Sequence, residues 1–164
     1  MFGNLRTLHD LFEIQLQCLY NAERKLVQLL PQLATNAKDS RLRVGFEKQL
    51  RETESHMARL HTIGQVLNLD LECTSCEELA NFLAEGTDAA LSNTTSEMPD
   101  SALLATAQRI EEYEIVGYST AATYAENLGH SQATELLHQT LAEVQHAHGR
   151  LAETVSSYCQ SQVC

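Results

Sequence analysis

Apolar residues fall on one helical face over four long stretches of this 164-residue chain. In the first, from about residue 5 to 37, Leu8, Phe12, Leu19, Leu26, Leu30 and Leu33 keep the spacing of an amphipathic helix. Pro31 lies inside it and is expected to kink the helix or to mark a tightened last turn. A polar break at 36–40 follows, with Asp39 or Ser40 available as the N-cap of a second helix. There Phe46, Leu50, Thr53, Met57, Leu60, Gly64 and Leu67 recur in nearly unbroken four-three alternation, the seam of a bundle.

The pattern breaks between residues 68 and 98. Cys73 and Cys76 sit in a loop-like stretch, residues 77–90 suit a shorter helix, and the polar run 92–96 closes the segment. About 30 residues suffice to carry the chain along the length of a bundle. Pro99 then suits the first turn of a third helix, whose stripe is Leu104, Ala107, Glu111, Glu114, Tyr118, Ala121 and Ala125, with Gly129 as its stop. A fourth helix starts near Ser131 and uses Leu137, Leu141, Val144, His148, Leu151, Val155 and Tyr158. Two helical hairpins joined by one long connection predict an all-α, ferritin-like four-helix bundle, its crossover containing a short extra helix. The whole chain, 1–164, reads as a single domain with its core in about residues 5–158.

Composition agrees, with 2 Pro, 7 Gly and 43% hydrophobic residues. Eleven Lys and Arg against 22 Asp and Glu give a net charge of −11 with no basic cluster, which argues against a nucleic-acid partner. No apolar window reaches about 18 residues, so no membrane partner is expected. An odd count of 5 Cys without a recognisable export signal points to a reduced, cytoplasmic setting. The lone Cys73–Cys76 pair lacks the second pair that a tetrahedral metal site needs and reads as structural or incidental thiols.

Carboxylates interrupt the apolar stripes. Glu23 follows Leu19 by four residues and precedes Leu26 by three, so it points inward, and Glu111 and Glu114 lie one turn apart within the third stripe. Burying such groups costs several kcal/mol each unless a proton, a cation or a metal compensates them. Lys and Arg do not stand at matching places on these seams. Helix 2 instead offers Glu52 with His56, and helix 4 offers Glu143 with His146 or His148. Taking Val144 as the seam centre, His148 falls about 40° from it and His146 about 160°, although the latter has the Glu-x-x-His spacing. Which histidine serves stays open. Carboxylates and imidazoles from four facing helices form a donor set for two iron or manganese ions. The plainer reading is a polar core satisfied by hydroxyls such as those of Tyr113 and Tyr118.

The runs at 19–26, 50–56, 109–118 and 125–129 resemble the YciE/YciF family of bacterial stress-response proteins, within the ferritin-like superfamily and similar to rubrerythrin in its bundle. The resemblance implies a homodimer and a di-metal centre of iron or manganese. Matched by position, its ligands would be Glu23, Glu52 with His56, Glu111 with Glu114, and Glu143. Two departures stand out: Glu52 and His56 are four residues apart where three is usual, and Ala147 occupies a slot suited to the last histidine. The expected function is peroxide- or oxygen-dependent oxidation of the metal. The alternative is a metal-free helical dimer that acts as a binding or scaffold module.

Overall fold

The computed structural model describes residues 7–72 and 99–163, which form helices α1 (Leu8–Asn36), α2 (Ser40–Leu67), α3 (Pro99–Leu128) and α4 (Ser131–Val163). Local chemistry sets each boundary. Thr7 opens α1 with a capping box: its hydroxyl accepts from the Asp10 N–H at 3.1 Å, and the Asp10 carboxylate accepts from the Thr7 N–H at 3.0 Å. The helix runs through Pro31 to Asn36. Asp39 is the N-cap of α2 and accepts from the Arg41 N–H at 2.8 Å. Helices α2 and α3 stop in the same way. Asn68, at φ 53°, and Gly129, at φ +74°, adopt the left-handed conformation. The N–H of the following residue then reaches back, Leu69 to the Gly64 carbonyl at 2.8 Å and His130 to the Ala125 carbonyl at 3.0 Å.

The hairpins α1–α2 and α3–α4 pack together, α1 against α3 and α2 against α4. Buried Asp100, in the first turn of α3, accepts from the N–H groups of Lys38 and Asp39, each at 2.9 Å. The starts of α2 and α3 therefore share one end of the bundle, and the end of α2 lies at the other. The short helix expected at 77–90, and Cys73 and Cys76, lie outside the described residues. Cys18, half-buried on α1, is disulfide-bonded, a departure from the reduced state expected of the thiols, whereas Cys159 is free and exposed. Among the described residues no helix is long and apolar enough to cross a membrane.

Two apolar clusters make the core. One gathers Phe12, Leu16, Leu19, Leu60, Ile63, Ala121, Ala125, Leu137 and Val144; the other gathers Leu26, Leu30, Leu33, Leu42, Phe46, Leu103 and Ile110. Each fully buried Leu, Ile or Phe contributes roughly 1.5–3 kcal/mol of transfer energy. Between the clusters lies a buried polar layer of Glu23, His56, Glu111 and Glu114.

Candidate metal centre

The register of each helix delivers this layer. On α1, Glu23 stands between Leu19 and Leu26 and is fully buried; on α3, Glu111, Glu114 and Tyr118 occupy successive turns of the buried stripe. The Tyr118 hydroxyl donates to Glu23 Oε1 at 2.5 Å, a length typical of an O–H donor on a charged carboxylate. His56 of α2 brings its Nδ1 to 3.3 Å from the same oxygen. Glu114 completes the group: one donor atom each from Glu23, His56 and Glu114 lies within 4.8 Å of the others. Glu23 Oε2, Glu114 Oε1 and His56 Nδ1 are buried and have no hydrogen-bond partner. Left unpaired, such an atom costs about 1–3 kcal/mol, so the cluster is poised for a proton or a cation that would pair with it.

The far side of the imidazole is held differently. His56 Nε2 lies 3.2 Å from Glu143 Oε2, and Arg59 grips both oxygens of Glu143, at 2.7 and 2.8 Å. With the imidazole proton on Nε2 and given to Glu143, the Nδ1 lone pair faces Glu23 and Glu114, the arrangement that orients metal-ligating histidines. Electrostatics separates the two sides. Burial, then the nearby charge of Glu23, pushes the Glu114 carboxyl well above the usual carboxylate range. The same two causes push the Tyr118 hydroxyl up, while burial and Glu114 bring that of Tyr113 to about 12. The hydrogen bond from Arg59, against the opposing effect of burial, holds Glu143 below its ordinary value.

The remaining expected ligands lie further along. Both oxygens of Glu52 accept from Arg150 Nη2, each at 3.0 Å. Glu111 Oε2 stands 3.6 Å from His148 Nδ1, and both atoms are buried without a hydrogen bond. Burial raises the Glu111 carboxyl to about 7, with Arg150 opposing the rise and Glu52 adding to it. His146 is exposed. Of the six residues, then, the structure joins Glu23, His56 and Glu114 directly, sets Glu143 behind His56, and leaves Glu52 and Glu111 in a neighbouring group with His148. The expectation that no basic residue matches the seams is corrected by Arg59 and Arg150. Their backbones sit on the flanks, but long stems carry the guanidinium groups inward. Arg59, one turn after His56, was the available signal.

Iron and manganese take carboxylate oxygen and imidazole nitrogen, and the three orphaned, converging donors of Glu23, His56 and Glu114 fit such an ion. A family model described as a domain of unknown function, DUF892, matches residues 7–163. The chain belongs to this family. The DUF892 chain is 34% identical to Protein YciF of Escherichia coli K12 over 141 residues, 85% of either chain. The crystal structure of the E. coli stress protein YciF superposes with a TM-score of 0.85 at 32% identity, covering 92% of this chain and 95% of that one. YcfI from Rhodopseudomonas palustris gives 0.83 at 28% identity, over 93% and 97%. A Xanthomonas campestris protein at 14% identity and a TM-score of 0.72, over 96% and 99%, shares the fold. The resemblance to YciE and YciF therefore holds, and so does the all-α bundle.

Proposed function

We propose that this DUF892 chain is a stress-response protein that holds iron or manganese at Glu23, His56 and Glu114 and lets peroxide or oxygen oxidise the metal. The single observation that carries the reading is the set of orphaned buried atoms, Glu23 Oε2, Glu114 Oε1 and His56 Nδ1, converging from three helices. A bound transition metal supplies one-electron chemistry that the side chains do not. The residues' own part is to position and insulate. Tyr118 fixes Glu23, Glu143 and Arg59 fix the His56 ring, and the two apolar clusters exclude water from either side. The sequence-based expectation of two ions calls on Glu52, Glu111 and Glu143 as well.

Anaerobic loading of purified protein with Fe(II) tests the proposal. Bound iron and a peroxide-dependent absorbance change are expected; fewer than one iron per chain with no such change would remove it. The scaffold reading draws support from a different observation. Tyr118 already pairs with one oxygen of Glu23, and Arg59 and Arg150 already neutralise Glu143 and Glu52. A helical dimer with a self-satisfied core would load no metal under the same conditions.

A further inference from the structure

Five carboxylates reach the polar layer, but they do not offer five free ligands. Both oxygens of Glu143 are occupied by Arg59 and both oxygens of Glu52 by Arg150. A dinuclear centre drawn from four helices needs those two side chains. Without them a second ion would find Glu111 Oε2 and His148 Nδ1, 3.6 Å apart, as its protein ligands. The guanidinium of Arg150 already acts on Glu111 by its charge, and the same charge repels an incoming cation.

We infer that the centre is built for one metal ion per chain, with Arg59 and Arg150 fixed as cations where a second ion would draw its ligands. The inference rests on the metal reading above and assigns the arginines within it. Glu23, His56 and Glu114 take the ion. Arg59 keeps Glu143 on the outer face of the His56 ring, as a positioning residue, and Arg150 closes the Glu52–Glu111–His148 group to metal. With all five carboxylates of the layer ionised, two guanidiniums and one divalent ion would leave a single negative charge. A tethered cation also has an advantage over a free one: it cannot be lost when the metal supply falls, so the flank stays compensated while the inner cluster loads and unloads.

The test is metal content per chain after anaerobic loading with Mn(II) in excess and removal of unbound metal, read by mass spectrometry of the metal and by electron paramagnetic resonance. Wild type is expected to hold one ion with the spectrum of an isolated Mn(II). In Arg150→Gln, which frees Glu52 and uncovers Glu111 and His148, two ions and a spin-coupled spectrum are expected. Arg150→Lys keeps the cation and should stay at one ion, which separates loss of charge from loss of fold. Two ions in wild type would overturn the inference while leaving the metal reading intact; no ion in wild type would overturn that reading itself. One ion in both wild type and Arg150→Gln would overturn the role given to Arg150. Should Arg150→Gln not fold, the wild-type spectrum and the lysine variant still decide, since a coupled pair in either contradicts a single ion.

Discussion

On α1 and α3, the side chains of Glu23 and Glu111 keep 0% and 4% of their surface; on α2 and α4, those of Glu52 and Glu143 keep 22% and 35%. The residue type is the same and the depth is not. Helices α1 and α3 approach closely at Gly117, where a Cβ would stand 2.7 Å from Leu19 Cδ2. Helices α2 and α4 part instead around an open cavity of about 210 Å³, with Phe46 and Lys48 on one side, Leu151 and Arg150 on the other, and Glu111 at its inner wall. Water at such a flank lowers the cost of charge, and a long cationic side chain can reach the acid from there. Around Glu23, fully buried behind the tighter wall, neither is at hand. Depth thus decides which cation compensates a carboxylate: a guanidinium on its tether near the rim, a proton or a free ion in the interior.

The largest expected effect comes from taking one acid out of the tight wall. Glu114→Leu removes a ligand from the Glu23–His56–Glu114 group, so metal content after loading should fall to near zero. The metal-free variant should hold its stability or gain about 1–3 kcal/mol, because a buried carboxyl is replaced by an apolar group. Metal analysis and urea denaturation of the same preparations check both halves. A variant that keeps its metal would show that the interior acids are not what holds it.

The tight wall was legible in the sequence and the flank was not. Glu111, Glu114 and Tyr118 continue the buried stripe of Leu104 and Ala107 without a break, so their direction followed from spacing alone. The bundle followed likewise from four apolar faces along the chain. On α2, apolar ranking placed Met57 in the seam, whereas the buried neighbour is His56, whose Nε2 pairs with Glu143 while its Nδ1 faces the inner cluster. Arg59 and Arg150 escaped for a related reason: helical spacing reports where a Cβ points, not where a guanidinium several bonds away ends up. His148 does face the core, as its angle from Val144 predicts, but its neighbour is Glu111 and not Glu143.

Acid should act on the two walls with opposite sign. The folded-state value of Glu111 is raised from 4.5 to about 7, so between these values the native metal-free protein holds a proton that the unfolded chain has released. Its stability therefore falls as pH rises through this window, by on the order of 3 kcal/mol at most. Glu143 is lowered, so the stability it contributes is present above its ordinary value and is lost as pH falls through the folded one. Urea midpoints of metal-free wild type and Glu111→Gln, measured from pH 5 to 8, isolate the first effect. The variant should be the more stable at pH 8, and the gap should close towards pH 5. Parallel curves would mean that water reaches Glu111 through the cavity and relieves its burial.

Glycine substitutions probe the packing difference itself, with the smallest expected effects. In a helix interior, Gly→Ala gains up to about 1 kcal/mol from backbone preference. Gly45 on α2 and Gly149 on α4 have nothing within 4 Å of an added Cβ, so Gly45→Ala and Gly149→Ala should each raise stability by roughly that amount. Gly117 enjoys the same backbone gain but meets Leu19, itself fully buried among Phe12, Leu16 and Tyr118. The leucine has little room to yield, and overpacking of this kind costs about 1–3 kcal/mol, so Gly117→Ala should be destabilising by about 1 kcal/mol net. Denaturant midpoints of the three variants should therefore move in opposite directions from wild type. A stabilising Gly117→Ala would mean that α1 can shift away from α3, and the tight wall would then be no barrier to water or to an arginine reaching Glu23.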